Sequence, residues 1–115
     1  MTIQRHNVGK RLSEAVVHNG TVYLAGEVPD DTTKDITGQT EQVLAKIDRL
    51  LAQVGSDKTK ILSAQIFIAD MAEFAGMNAA WDKWVAQGHT PARATIEAKL
   101  ANPAYKVEIM CVAAI

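Results

Sequence analysis

The sequence predicts an α+β fold in which six strands form one sheet and two helices cover one of its faces. The prediction rests on short segments that alternate between apolar and polar residues, and on two longer segments whose apolar residues recur at helical spacing. In chain order these elements read βββαβαββ. The 115 residues contain no internal repeat and no low-complexity segment, so we expect one domain spanning residues 1–115.

A hairpin near the start is the clearest of the predicted strand pairs. Residues 15–18 and 21–24 flank Asn19 and Gly20, which tolerate the positive φ angles of a type I′ turn. A shorter strand around residues 3–5 precedes this hairpin. Further strands are predicted at residues 61–69, 92–100 and 106–114, the last two separated by a turn at Asn102 and Pro103.

The first helix is predicted over residues 36–54. Apolar residues recur there three and four positions apart and give the helix one face for burial. Asp35 or Thr37 can cap its first turn, and Gly55 stands where a left-handed residue would end it.

The second helix is predicted to begin at Phe74, after a capping box opened by Asp70, and to end near Gly88. Its apolar stripe includes Trp81 and Trp84. Tryptophans at this spacing more often pack in a core than form a stacking platform. Both helices are expected to cover the same face of the sheet.

The alternation of residues in the last two strands predicts which side chains face the helices. In the fifth strand the side away from the helices is expected to hold Arg93, Thr95, Glu97 and Lys99, and the helix side Ala94, Ile96, Ala98 and Leu100. In the sixth strand the helix side is expected to hold Val107, Ile109, Cys111 and Ala113. Tyr23, Phe67 and Met110 would make the uncovered face partly apolar, so we expect copies of the chain to associate through it.

Composition narrows the classes of function. The 12 Lys and Arg residues are scattered and balanced by 13 Asp and Glu, so no basic stripe suits a nucleic-acid backbone. Cys111 is the only cysteine, no apolar run opens the chain, and no stretch nears the roughly 18 apolar residues of a membrane span. We therefore predict a cytoplasmic protein that has no contact with membranes. The histidines are far apart in sequence, so no metal site is predicted.

Arg93 is the strongest candidate for a functional side chain. It follows Pro91 and Ala92 at the start of a strand, where a guanidinium can hold a carboxylate through two parallel hydrogen bonds that lysine cannot copy. The alternative is a structural ion pair. The acids considered for that pair are Glu27, Glu97 and Glu108.

Six segments in order along the chain carry a family resemblance. They are residues 24–29, 38–40, 66–70, Phe74 with Met77 and Asn78, 91–93, and 107–109. Together they resemble the RidA/YjgF family, also labelled endoribonuclease L-PSP. The resemblance implies a chorismate-mutase-like fold with a mixed sheet, assembled as a homotrimer with ligand clefts between subunits. It also implies hydrolysis of reactive 2-imino or enamine acids to 2-keto acids and ammonia, without a cofactor.

The resemblance further implies which residues form the ligand site. Arg93 would bind the substrate carboxylate, and Gly26 and Asn78 also match the family pattern. Other positions depart from that pattern: Leu12 replaces a Tyr, Ala25 a Ser, Thr95 a Cys, and Met110 the Glu that helps orient the hydrolytic water. Glu108 lies two residues before Met110, about 7 Å away along the strand, and is not expected to substitute for that Glu.

Two functions remain open on these grounds. The first is a RidA-like imine deaminase, which should prefer more hydrophobic acids because the substitutions make its cleft less polar. The second is a non-catalytic trimer that binds a small keto or imino acid, an interpretation favoured by Met110. Endoribonuclease activity, suggested by the older family label, fits the near-neutral charge poorly.

Overall fold

Six strands form one mixed sheet within residues 2–115, the part of the chain that the computed structural model describes. The strands are β1 (Gln4–Val8), β2 (Ser13–His18), β3 (Thr21–Leu24), β4 (Ile61–Ile68), β5 (Ala92–Glu97) and β6 (Val107–Ala114). Two α-helices, α1 (Ile36–Gln53) and α2 (Phe74–Trp84), pack on one face. The order across the sheet is β1-β2-β3-β6-β4-β5, and among these described strands only β4 and β5 run parallel. The predicted fold class is confirmed.

The predicted hairpin is present, and the strand before it is longer than expected. Asn19 and Gly20 have φ angles of 53° and 73°, as a type I′ turn requires. β1 continues to Val8 because its backbone pairs with β2 from Gln4 to Val8. Most side chains of β1 are exposed, so no apolar alternation marks this edge strand in the sequence.

The start of α1 follows the prediction. Asp35 caps the helix, since its Oδ1 accepts the backbone N–H of Gly38 at 2.8 Å. The helix ends at Gln53, and Gly55 then turns the chain with a φ of 79°.

α2 is shorter than predicted, and its start is built differently. Asp70 caps a 3₁₀ turn over Met71–Glu73 that precedes the α-helix, so the predicted capping box is wrong. The helix ends at Trp84 rather than near Gly88, because Val85 adopts an extended conformation with a ψ of 138°.

The hydrophobic core lies between the sheet and the two helices. In β6 the predicted alternation is confirmed, because its helix-side residues, Val107, Ile109, Cys111 and Ala113, are fully buried. Trp81 is buried among them, as predicted, and only 5% of its surface is exposed. Burial raises the pKa of the free Cys111 thiol to about 12, so the thiol is protonated and unreactive.

The side chains of β5 lie on the opposite sides of the sheet from those predicted. Paired residues of neighbouring strands share a face of the sheet, and the β4 partners of Arg93, Thr95 and Glu97 are all buried. These three side chains therefore lie on the helix side, while Ile96 lies on the other side and is 45% exposed. The prediction failed because β5 is an edge strand. Its helix side is only partly covered, so polar side chains can point there and still reach water. The strand also ends at Glu97 rather than at residue 100.

The sheet face away from the helices carries exposed apolar side chains. Tyr23 lies opposite Val112, and Phe67 lies beside Ile96. Tyr23 is half-exposed, and within residues 2–115 no helix covers this face. In that same part of the chain, neither α-helix combines the length and the apolar composition needed to cross a bilayer.

Candidate functional site

The Arg93 side chain projects from β5 onto α2. Its Nη1 donates a hydrogen bond to Oδ1 of Asn78 at 2.8 Å. The guanidinium carbon lies 5.2 Å from the ring centroid of Trp81 and 5.9 Å from that of Phe74. Both distances fall within the range of cation–π attraction. One helix thus orients the guanidinium by an amide on one side and by two aromatic rings on the other.

Arg93 makes none of the ion pairs considered as the alternative to a functional role. Within residues 2–115 it forms no salt bridge with any acid. The Glu97 carboxylate instead accepts the backbone N–H of Met71 at 2.8 Å. Glu108 lies on the far side of the sheet, beside Gly26. The positive charge of Arg93 is therefore held in place without being neutralised.

A recess of about 530 Å³ opens beside the guanidinium. It is lined by Met71, Phe74, Arg93 and Thr95. Oγ1 of Thr95 is buried and has no hydrogen-bond partner in the described chain. A buried hydroxyl without a partner is costly, and a bound oxygen would satisfy it. The recess thus offers one cation, one unused hydroxyl and two apolar side chains.

The structure brings together Arg93, Asn78 and Thr95 from the predicted site, but not the remaining residues. Those are Leu12, which is exposed between β1 and β2, Ala25 and Gly26 after β3, and Met110 on the uncovered sheet face. At Gly26 an added side chain would meet the Glu108 carboxylate, which is the flexible end of its side chain and would have to move. Within one subunit the predicted residues therefore fall into two separate groups.

The aromatic contacts of Arg93 were not predicted from the sequence. Trp81 was assigned to the core, which is correct, but its ring also contacts the guanidinium. Phe74, Asn78 and Trp81 are four and then three residues apart, which places them on one stripe of α2. That spacing of an amide between two aromatic residues is the signal that could have revealed them.

The fold and this recess define a class of small α+β proteins with an arginine on an edge strand of a six-stranded sheet. The chain belongs to the endoribonuclease L-PSP family, whose model matches residues 2–115. It is similar to the RutC family protein YoaB of Escherichia coli, with 50% identity over 115 residues and 100% of both chains covered.

The chain is also similar to a solved structure and to a relative of lower sequence identity. A solved structure from Neisseria meningitidis, a member of the YjgF protein family, has a TM-score of 0.97 at 48% identity and covers 99% of this chain and 95% of its own. Reactive Intermediate Deaminase A of Arabidopsis thaliana is 30% identical over 107 residues, which is 88% of this chain and 57% of that protein. The family resemblance in the sequence is thereby confirmed.

Proposed function

We propose that the protein hydrolyses reactive 2-imino or enamine acids to 2-keto acids and ammonia, with Arg93 holding the substrate carboxylate. The observation that carries this proposal is the oriented, unneutralised guanidinium at the mouth of an otherwise uncharged recess. The name of the Arabidopsis relative, a deaminase of reactive intermediates, supports the class of reaction.

Carboxylate binding follows from the donors that remain free. Asn78 engages one N–H of Arg93, and the others can form two parallel hydrogen bonds to a carboxylate. Charge-assisted hydrogen bonds of this kind contribute about 1.5–3 kcal/mol. Rotation of the Thr95 side chain would bring its buried hydroxyl to the same ligand. Met71 and Phe74 give the ligand an apolar wall, which favours acids with larger hydrocarbon side chains.

We further propose that the recess is completed in a homotrimer, where a neighbouring copy contributes Leu12, Ala25, Gly26 and Met110. Two observations support this assembly. The four residues lie outside the recess of their own subunit, and the uncovered sheet face carries apolar side chains that water would otherwise contact. In this proposal residues 1–115 act as one domain in the cytoplasm, without a cofactor, a membrane or a nucleic acid as partner.

A second candidate function is binding without catalysis. A positioned general acid or base contributes a rate factor of roughly 10²–10⁴. The side chains that line the recess include no carboxylate and no imidazole, and Met110 stands where the family has a Glu. A trimer that captures keto or imino acids needs only the guanidinium. RNA cleavage has less support, because the net charge is −1 and no basic stripe is present.

The two candidates are separated by one assay. An amino-acid oxidase generates the imino acid, and semicarbazide traps what the purified protein has not hydrolysed. Deamination predicts that the wild-type protein lowers the yield of semicarbazone and that Arg93→Ala abolishes this effect. Arg49→Ala, the same change on α1 and outside the recess, serves as the control and should act like the wild type.

The competing outcomes are distinct. An unchanged yield of semicarbazone, together with thermal stabilisation by a keto acid that requires Arg93, would support the binding protein. An unchanged yield without such stabilisation would contradict both candidates.

A further inference from the structure

A second polar cleft lies between α1 and the half of the sheet that contains β1 and β2. It is bounded by β1 and β2 on one side and by α1 on the other, and its volume is about 290 Å³. The order of the strands places β1 at one edge of the sheet and β5, with Arg93, at the opposite edge. Within one subunit the cleft reaches from β1 toward the middle of the sheet, where Glu27 pairs with β6, two strands from β5.

Glu27 is the unusual residue in this cleft. Its backbone N–H and carbonyl both pair with Ile109 of β6, at 2.8 and 3.1 Å, which fixes its position. Only 6% of the residue is exposed, yet within residues 2–115 its carboxylate has neither a hydrogen bond nor an ion pair. Glutamate is rarely buried without a partner, because the charge loses its hydration and gains nothing in return.

The cation whose charge lowers the pKa of Glu27, Lys46, is bonded to other groups. Nζ of Lys46 donates to the carbonyl oxygen of Val28 at 2.7 Å and pairs with Oδ1 of Asp30 at 2.8 Å. Arg49 also lines the cleft, but it forms no salt bridge among the residues described. The carboxylate of Glu27 therefore lines the open cleft without an ion pair in the described part of the chain.

Hydrogen bonds between side chains join the residues of the opposite wall. Asn7 donates to Oε2 of Glu14 at 2.8 Å and exchanges two hydrogen bonds with Gln53, of 3.2 and 3.1 Å. Asn7 has a φ of 53°, an uncommon conformation for a residue other than glycine. Backbone of this kind persists only where its surroundings fix it, and it is often found at ligand sites.

We propose that this cleft binds a small organic cation, an alkylammonium ion with a short apolar tail, whose charged end lies between Glu27 and Glu14. With Lys46 paired to Asp30, the two carboxylates outnumber Arg49, the remaining cation of the cleft, and the buried one forms no ion pair among the residues described. Leu50 gives the tail an apolar wall. A divalent metal fits less well, because the described residues contain no group of three acidic, His or Cys ligands.

The protonation of Glu27 gives this binding a pH dependence. Burial raises the pKa of Glu27 to about 7, helped by repulsion from Glu14, Glu108 and Asp30 and opposed by Lys46. Besides Lys46, α1 places one further cation, Arg49, along the cleft. The ammonium ion prefers the ionised carboxylate, so it must displace a proton at low pH. Affinity should therefore rise with pH through 7, by about tenfold between pH 6 and pH 8.

The test is a titration of the ¹⁵N-labelled full chain with butylammonium chloride at constant ionic strength, followed by NMR. Saturable shifts are expected at the amides of Asn7, Glu14, Glu27 and Gln53, and not around Arg93. Butyrate, which has the same chain length and the opposite charge, should leave these four amides unshifted. The dissociation constant for butylammonium should be about tenfold larger at pH 6 than at pH 8.

Matched variants assign the effect to Glu27. Glu27→Gln should weaken butylammonium binding at least tenfold and remove its pH dependence. Glu14→Gln should weaken it to a smaller extent. Glu41→Gln makes the same change of charge on the exposed part of α1 and should leave binding unchanged.

Three results would overturn the proposal: no saturable shift, equal binding by Glu27→Gln and the wild type, or an affinity independent of pH. None of them depends on imine hydrolysis or on Arg93.

Discussion

The edge of the sheet and its middle hold unpaired charges of opposite sign: Arg93 lies on the edge strand β5, and Glu27 lies beside the central strand β6. Arg93 is exposed, so water can solvate its charge while Asn78 and two rings orient it. Glu27 is buried, so its lack of a partner changes its protonation as well as its energy. A charge that is kept unpaired in reach of water costs little. An unpaired charge that is buried inside the fold lowers the free energy of unfolding until a partner or a change of protonation neutralises it.

The largest effect on the free energy of unfolding is expected for replacement of Trp81, which contacts Arg93 and also belongs to the core. Trp81→Ala should lower the free energy of unfolding by about 3–5 kcal/mol, because Trp81 is buried as well as in contact with the guanidinium. Urea denaturation measures this change. Phe74→Ala should cost clearly less, since Phe74 is 37% exposed. Equal losses would show that the two rings do not differ in the way described.

Removing the guanidinium should affect the ligand and leave the fold intact. Arg93→Ala should weaken binding of the keto acid derived from leucine by about 1.5–3 kcal/mol, roughly 10- to 150-fold. Arg93→Lys should recover only part of this loss, because an ammonium cannot form the two parallel bonds. Isothermal titration calorimetry gives the affinities. Full recovery by Lys would argue that charge alone holds the ligand.

Neutralising Glu27 should stabilise the fold, and only where the carboxylate is ionised. Its pKa in the folded protein is raised from 4.5 to about 7, so the penalty is absent below pH 4.5, grows between pH 4.5 and 7, and is complete above pH 7. Glu27→Gln should therefore raise the free energy of unfolding by about 1–2 kcal/mol at pH 8 and hardly at all at pH 4. Denaturation at both pH values measures the difference. A gain that is the same at pH 4 would mean that packing, not charge, is responsible.

The smallest effect concerns the amide that orients Arg93. Asn78→Ala should weaken keto-acid binding by about 1 kcal/mol, since one hydrogen bond to the guanidinium is lost. Asn78→Asp keeps the shape but places a negative charge against Arg93, so it should weaken binding further. Calorimetry of the two variants tests the order. If the Asp variant bound more tightly than the Ala variant, a free positive charge would not be what the site requires.

The sequence predicted those elements whose signals are local. The Asn19–Gly20 turn, the Asp35 cap and the alternation of β6 each follow from neighbouring residues, and each is confirmed. β1 and β5 are edge strands, and there the pattern of apolar residues does not report which face is buried. The length of β1 and the orientation of Arg93 were therefore missed.

The candidate site was likewise predicted only in part. The strand pattern supplied Arg93 and the family resemblance supplied Asn78, but no pattern indicates that their side chains meet at 2.8 Å. The unpartnered hydroxyl of Thr95 and the solitary carboxylate of Glu27 depend on what surrounds them in three dimensions. The type of a residue does not predict whether its side chain lacks a partner, because that depends on the residues that surround it in the folded protein.

The buried Cys111 has a practical consequence. Its thiol lies in β6, which pairs with β3 on one side and β4 on the other, and it has no access to solvent in the folded chain. A thiol-specific dye can therefore label the protein only when the centre of the sheet opens. The rate at which Cys111 is labelled then reports how often the fold opens. Mass spectrometry of the labelled protein would rank all the variants above by this rate, without any introduced probe.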